Sequence, residues 1–309
     1  MESCGFYSVA SFFCQYSSCE SLHGLSKEFL NRDFLSSAKQ AKLAPVNRLD
    51  TTFEKLRIEG KKAFVAYVAG GDPDFDRSLE IMRELANAGA DVLELGLPFS
   101  DPLADGIVNQ MAAARSLNSG GSTRGCLDLI REFRKSYETP IVLFTYLNPV
   151  FTYGYEQFHQ DAAAAGVDGI LLLDLPPDEA ARNADLSGEV GLQHIRLIAP
   201  TTPDERVKLL AESSEGFIYA LSRTGVTGAH GAPLEGIGEV VSRIKEYTET
   251  PVCVGFGINT PEQAAMVASV SDGIVVGSAI VKIVENNADD PQVAQKVGAF
   301  VKTLVDAIR

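Results

Sequence analysis

Eight short apolar runs, separated by helical segments, recur from residue 63 to residue 276 and constrain the fold most strongly. They start mostly about 20–30 residues apart, a spacing typical of strand–helix units with parallel strands. Eight such units favour a closed (β/α)8 barrel over an open doubly wound sheet. No G-x-G-x-x-G pattern follows the first run, which weakens the dinucleotide-binding alternative. The runs are Ala63–Val68, Val92–Leu95, Ile141–Thr145, Gly169–Leu173, His194–Ala199, Phe217–Leu221, Val252–Gly255 and Gly273–Val276.

The first 45 residues do not share this pattern. A (β/α)8 barrel takes about 250 residues, and the chain has 309. We therefore predict two parts, a poorly ordered N-terminal extension over 1–45 and one α/β catalytic domain over 46–309. The extension lacks the basic start and continuous apolar stretch of a secretory signal, and its acidic residues fit a transit peptide poorly. We expect a chain that starts near Ala44 to fold and keep its activity, and an insoluble or inactive truncation would give the extension a part in function.

Composition excludes several classes of partner. The formal net charge is −14, so nucleic acid and anionic membranes are not expected partners. No run of about 18 apolar residues is present, which argues against a transmembrane helix. The four histidines show no metal-ligand spacing, so no metal site is predicted. Five cysteines, an odd number, fit a reducing compartment such as the cytoplasm, although the extension leaves organellar import open.

Two carboxylates stand out near the end of the second predicted strand. Glu94 lies inside the apolar run Val92–Leu95, and burial there would raise its pKa until it could deliver a proton near neutrality. Asp101 and Asp105 occupy the loop that follows. Strand ends of a barrel meet at one mouth, so Glu94 and Asp105 form a possible acid and base pair. In the competing interpretation, Glu94 is buried for structural reasons, and Asp101 and Asp105 only stabilise the turn.

Glycine-rich turns follow the last two predicted strands. Many barrels bind a phosphate there, on backbone N–H groups and the N-terminus of a short helix. Gly277 would let the backbone approach an anion, and Ser278 would add a hydroxyl donor. Ala279–Val284 is predicted to be the short helix. Ordinary turn glycines are the competing interpretation.

Five segments in register resemble the tryptophan synthase alpha chain family. The most specific is Leu93-Glu-Leu-Gly-Leu-Pro-Phe-Ser-Asp-Pro-Leu-Ala-Asp-Gly106. The others are Phe64–Pro73, Tyr219–Ala229, Gly255–Gln263 and Gly277–Val281, and the resemblance runs from about Thr52 to Arg309. It implies a (β/α)8 barrel that splits indole-3-glycerol phosphate into indole and glyceraldehyde 3-phosphate. It also implies a beta-chain partner in an α2β2 complex, with pyridoxal phosphate bound only by that partner.

The same resemblance implies roles for individual residues. Glu94 matches the catalytic acid–base, Asp105 the carboxylate that holds the indole N–H, and Tyr219 an active-site tyrosine. The implied phosphate contacts are Gly228, Gly257, Gly277 and Ser278, and Thr227 is the threonine that positions Asp105 when its loop closes. The implied pocket wall consists of Tyr67, Phe144, Tyr146, Leu171, Leu173, Ile198 and Phe256.

Two residues depart from the family pattern. Ile107 stands where the family usually has proline, which puts the placement of Asp105 in question. Tyr67 stands where phenylalanine is common, and its hydroxyl needs a partner if it is buried. Three alternatives to the two-subunit lyase remain open at this point. They are another phosphate-binding barrel such as a sugar-phosphate isomerase or epimerase, a non-catalytic activator of a beta chain, and a stand-alone enzyme that releases indole.

Overall fold

All strands of the computed structural model run parallel in one sheet. The structure describes residues 46–221, 234–255 and 257–309. Within these ranges the sheet has nine strands, and each neighbouring pair is joined in parallel register. The strands are β1 (Ala63–Ala69), β2 (Val92–Gly96), β3 (Ile141–Thr145), β4 (Gly169–Leu172), β5 (Gln193–His194), β6 (Arg196–Ile198), β7 (Ile218–Leu221), β8 (Val252–Gly255) and β9 (Gly273–Val276).

The order of the strands closes the sheet into a barrel. It runs β5-β4-β3-β2-β1-β9-β8-β7-β6, so the two strands at its ends are consecutive in sequence. Only Ile195 separates them, and its N–H still bonds the carbonyl of Ile170 on β4, at 3.0 Å. The (β/α)8 prediction is confirmed. The sequence predicts a single fifth strand over His194–Ala199. In the structure it is interrupted at Ile195 and forms the two short strands β5 and β6.

Helices alternate with the strands as the spacing predicts. They are α1 (Arg48–Glu59), α2 (Phe75–Asn87), α3 (Ile107–Asn118), α4 (Thr123–Phe133), α5 (Leu147–Tyr153), α6 (Tyr155–Ala165), α7 (Pro177–Glu189), α8 (Asp204–Glu212), α9 (Leu234–Lys245), α10 (Pro261–Ala268), α11 (Ser278–Asn286) and α12 (Val293–Asp306). The start of α10 follows directly from its sequence. Thr260, the N-cap, accepts from the N–H of Gln263. The Gln263 side chain accepts from the N–H of Asn259, one residue before the N-cap, in a variant of the capping box.

Helix α1 seals the end of the barrel where the strands begin. Its apolar face, Leu49, Phe53 and Leu56, is buried in one cluster with interior residues of the strands. Phe53 packs on Phe217 with ring centroids 5.6 Å apart. Burying a Leu or Phe side chain contributes about 1.5–3 kcal/mol. Because this plug closes one end, a substrate can enter the interior only from the opposite mouth, where the strands end.

A polar anchor fixes the plug. Asn47 caps α1 by accepting from the N–H of Leu49, and its amide donates to the carbonyl of Asp168 at 2.9 Å. The Asp168 carboxylate in turn binds Arg48, at 2.9 Å, and Arg134, at 2.7 Å. Residues 47 and 48 are therefore integral to the barrel.

Candidate active site

Glu94 is a buried carboxyl group in the barrel interior. It lies mid-strand on β2, opposite Tyr67 on β1 and Val142 on β3, and is 1% exposed. Its Oε1 atom is enclosed and has no hydrogen-bond partner in the described part of the chain. Burial raises its pKa to about 8. The group is therefore mostly neutral at neutral pH, and once it has lost its proton it is a stronger base than an ordinary carboxylate.

Asp105 lies on the loop after β2 and is also buried. The Tyr146 hydroxyl donates to its Oδ2 at 2.7 Å, and the Asn109 amide approaches its Oδ1 at 3.4 Å. Tyr146 also accepts from the N–H of Ala104 at 3.0 Å, which ties the loop to the end of β3. Burial raises the pKa of Asp105, and the two side-chain hydrogen bonds offset part of that rise. Asp101 is exposed on the same loop and does not share this environment.

Ile107, where the family usually has proline, lies at a position that tolerates both residues. Ile107 is the first residue of α3, and Gly106 is its N-cap. Proline is favoured at that position because the N–H it lacks has no partner within the helix. Ile107 is 66% exposed, so its side chain leaves the packing of Asp105 unchanged. Asp105 stays next to the positive end of the helix dipole, which favours the charged carboxylate.

Two tyrosines face the same pair of carboxylates. Burial is the main cause of the raised pKa of Tyr67 and of Tyr219, and the charges of Glu94 and Asp105 raise both further. Tyr67 contacts Phe144 edge-on, with ring centroids 5.1 Å apart. β1, β2, β3, β7 and the loop after β2 thus direct two carboxyl groups and aromatic rings toward one pocket at the mouth.

Most of the predicted wall residues line this interior. Leu171 belongs to the interior cluster, and Phe144, Leu173 and Tyr219 pack against it. Ile198 does not, because it is buried in the outer layer between strands and helices. Leu197, its neighbour, pairs with Tyr219 in register and is half-buried. Ile195 already points inward, so alternation places Leu197 rather than Ile198 on the pocket side.

The predicted phosphate end combines a glycine turn with a helix start. Helix α11 begins at Ser278, with Gly277 as its N-cap and no side-chain cap. The first N–H groups of a helix have no partner within it, so they are free to bind an anion. Gly257, after β8, has φ +70°, a conformation that L side chains rarely adopt. Gly228, Thr227 and Phe256 lie outside the described residues.

Two further residues shape the site and are missed by sequence reasoning. A Cβ atom at Gly96 would lie 2.5 Å from the Tyr67 hydroxyl oxygen, so this position must be glycine for Tyr67 to fit. Asn109 is the second partner of Asp105, one helical turn into α3. The spacing of four residues between Asp105 and Asn109 was the available signal. In the described ranges, no group of three or more His, Cys, Asp or Glu side chains is placed to hold a metal ion.

Comparison with known proteins agrees with this geometry. The sequence model described as tryptophan synthase alpha chain matches residues 53–309. The chain belongs to the tryptophan synthase alpha chain family. It is therefore a lyase of tryptophan biosynthesis that cleaves indole-3-glycerol phosphate to indole and glyceraldehyde 3-phosphate.

The matches to individual relatives cover nearly the whole length of each relative. A tryptophan synthase alpha chain from Desulfatibacillum aliphaticivorans is 45% identical over 261 residues, which is 84% of this chain and 98% of that protein. The crystal structure of tryptophan synthase subunit alpha from Legionella pneumophila is 39% identical, with a TM-score of 0.78 over 85% of this chain and 98% of its own. A tryptophan synthase structure from M. tuberculosis, in an aminoacrylate-bound form, is 33% identical, with a TM-score of 0.76 over 85% of this chain and 100% of its own.

Proposed function

We propose that Glu94 is both the acid and the base of the cleavage. The observation that carries this role is its burial, with Oε1 unpaired among the described residues. To break the bond between the indole ring and the glycerol chain, the ring carbon at that bond must first gain a proton. Neutral Glu94, with a pKa of about 8, is suited to deliver it. The Oε1 atom of the resulting carboxylate is enclosed, and no described residue donates a hydrogen bond that would weaken it as a base.

The second half of the reaction returns the proton. The chain hydroxyl next to the ring gives its proton to the Glu94 carboxylate, and its carbon becomes the aldehyde carbon of glyceraldehyde 3-phosphate. The electrons of the breaking C–C bond restore the aromatic ring, so neutral indole leaves and Glu94 ends protonated again. No other reactant is needed, and the net change is one C–C cleavage.

Asp105 supports the charge on the ring. Protonation at carbon makes the indole ring cationic, and a carboxylate at the ring N–H stabilises that cation electrostatically. Tyr146 and Asn109 hold Asp105 in place for this contact. Tyr219, which lies within the field of both carboxylates, would pack against the ring.

Tyr146→Phe tests the placement of Asp105. Without the 2.7 Å hydrogen bond from Tyr146, the Asp105 pKa should rise further. Burial raises this pKa, and the bond that partly offsets the rise is lost. The fraction of ionised Asp105 then falls at acidic pH, so the acid limb of the kcat/KM profile should move to higher pH. Loss of a hydrogen bond to a charged group predicts a decrease of about tenfold or more in rate. An unchanged pH profile would show that the hydrogen bond from Tyr146 does not affect the ionisation of Asp105.

The start of α11 is the proposed binding site for the phosphate of the substrate. We propose that Gly257, Gly277 and Ser278 contact it, together with Gly228 beyond the described residues. Backbone dipoles do most of this binding, which explains how a chain with a net charge of −14 can bind an anion. Binding at this remote end would orient the ring against Glu94.

A beta chain is the proposed partner, in an α2β2 complex. Three large apolar side chains at or near the mouth are exposed: Leu103 at 89%, Ile107 at 66% and Phe151 at 75%. Exposed apolar groups in one region are typical of a protein interface. The loop around Asp101 and Pro102 carries this region, and the loop at Pro176 and Pro177 is the other proposed contact.

Pyridoxal phosphate is proposed to reside in the beta chain. The cofactor requires a lysine that reaches it in a pocket. Lys62 and Lys245, half-buried in the described chain, bind the carbonyls of Ser271 and Thr250. Those contacts lie at the strand starts, away from the mouth. The remaining described lysines are exposed.

The cytoplasm is the proposed location. In the part of the chain that the structure describes, no helix is long and apolar enough to cross a membrane. Cys126 and Cys253 are buried free thiols, as a reducing compartment permits. Location within a cell can be measured by fractionation.

Indole release from indole-3-glycerol phosphate, with and without a beta chain, tests the activity and the partnership together. We expect indole formation by the purified chain, with a rate increase when a beta chain is added. No indole under either condition would overturn the acid–base assignment in favour of a non-catalytic activator. The same rate with and without the beta chain would instead support a stand-alone enzyme.

A further inference from the structure

The hydroxyl group of Tyr67 is a buried polar group with no hydrogen-bond partner among the described residues. Tyr67 is 7% exposed, and its hydroxyl forms no hydrogen bond with any described residue. Glu94, opposite Tyr67 in register, likewise has an enclosed Oε1 atom with no hydrogen-bond partner among the described residues. A buried donor left unpaired costs about 1–3 kcal/mol. A hydroxyl in that position is therefore suited to a ligand that supplies the missing acceptor.

The neighbouring strand makes room for this hydroxyl. A Cβ atom at Gly96 would lie 2.5 Å from the Tyr67 oxygen and 2.9 Å from Cζ. Gly96 is two residues beyond Glu94 on β2, so both positions face the interior. The hydroxyl thus lies just above Glu94 on the mouth side, in space that any other residue at position 96 would fill.

Strand order places Tyr67 under the middle of the substrate. β1 lies between β9, which leads into the phosphate end, and β2, which carries Glu94. Tyr67 is directly opposite Glu94 in register. On its other side, a Cβ atom at Gly277 would lie 3.3 Å from the Tyr67 Cβ. A substrate with its phosphate at Gly277 and its breaking bond at Glu94 must therefore run its glycerol chain across Tyr67.

We propose that the Tyr67 hydroxyl donates a hydrogen bond to a hydroxyl oxygen of the substrate's glycerol chain. This contact rests on the proposed roles of Glu94 and Gly277, since they fix the two ends of the substrate. It makes Tyr67 a specificity-determining residue, which distinguishes a polyhydroxy chain from a plain alkyl chain. The aromatic ring serves separately as pocket wall, through its edge contact with Phe144.

Tyr67→Phe removes the donor and keeps the ring. The probes are indole-3-glycerol phosphate and 3-(indol-3-yl)propyl phosphate, an analogue without chain hydroxyls. We expect kcat/KM for the substrate to fall about threefold to tenfold, as for one lost neutral hydrogen bond. The Kd of the analogue should stay within about twofold of the wild-type value, since it never made that bond. Unchanged analogue binding also shows that the pocket remains folded.

Tyr137→Phe is the matched control, because the Tyr137 hydroxyl bonds Asn87, at 3.2 Å, near the strand starts. Tyr137→Phe should change neither kcat/KM for the substrate nor the Kd of the analogue. Equal losses for substrate and analogue in Tyr67→Phe would assign Tyr67 a packing role and overturn the proposal, as would an unchanged kcat/KM. A shift of the kcat pH profile would show that the Tyr67 hydroxyl bonds the Glu94 carboxyl rather than the substrate, and would also overturn the proposal. Failure of wild-type cleavage, by contrast, would count against the proposed roles of Glu94 and Gly277 themselves.

Discussion

Glu94→Gln should abolish indole formation while the protein still folds and binds its substrate. The amide keeps the shape of the side chain but can neither give a proton to the ring carbon nor accept one from the chain hydroxyl. General acid–base groups contribute about 10²–10⁴-fold each, and Glu94 acts in both directions. We expect kcat to fall by at least about a thousandfold, measured as indole released from indole-3-glycerol phosphate.

Substrate binding and a surface control make this result specific. The Kd of indole-3-glycerol phosphate in Glu94→Gln should remain close to the wild-type value, because Asp105 and the phosphate end are untouched. Glu205→Gln, an exposed change on α8, should leave both kcat and Kd unaltered. A Glu94→Gln enzyme with a normal rate would transfer the acid–base role to another group.

Glu94→Leu should stabilise the fold while it removes activity. The folded chain holds the Glu94 proton up to a pKa of about 8, whereas the ordinary value is 4.5. Between these values the folded state binds more protons than the unfolded state, so stability falls as pH rises. At about 1.4 kcal/mol per pKa unit, the burial of this carboxyl lowers stability at pH 8 by several kcal/mol. An apolar side chain of similar size removes that loss.

Urea unfolding at two pH values measures the effect. At pH 8 the free energy of unfolding of Glu94→Leu should exceed that of the wild type by about 3 kcal/mol or more. The difference should shrink toward pH 5, where the carboxyl is neutral in the folded protein and only partly ionised in the unfolded chain. A difference that does not change with pH would show that Glu94 titrates normally in the fold.

The features that sequence predicted are those that depend on local pattern. Apolar runs marked the strands, and a carboxylate inside one of them marked Glu94, because burial of a charge is expensive wherever the strand lies. Thr260 and Gln263 predicted the start of α10 because the capping hydrogen bonds lie within five residues. In each case the relevant physics acts over a short stretch of chain.

The features that sequence missed depend on register between distant segments. Tyr146 bonds Asp105 from 41 residues away, and only the pairing of β2 with β3 brings them together. The assignment of Ile198 to the pocket failed to allow for the inward direction of Ile195 at the strand break. The space at Gly96 becomes visible only with the Tyr67 ring in place.

The pKa of the Glu94 carboxyl decides whether this group can supply the proton that starts the cleavage. Carboxyl-carbon NMR of protein labelled at glutamate, compared with Glu94→Gln to assign the signal, follows its titration. We predict a midpoint near pH 8. A midpoint near 4.5, the ordinary value, would mean that Glu94 is ionised at neutral pH and cannot supply the proton that starts the cleavage.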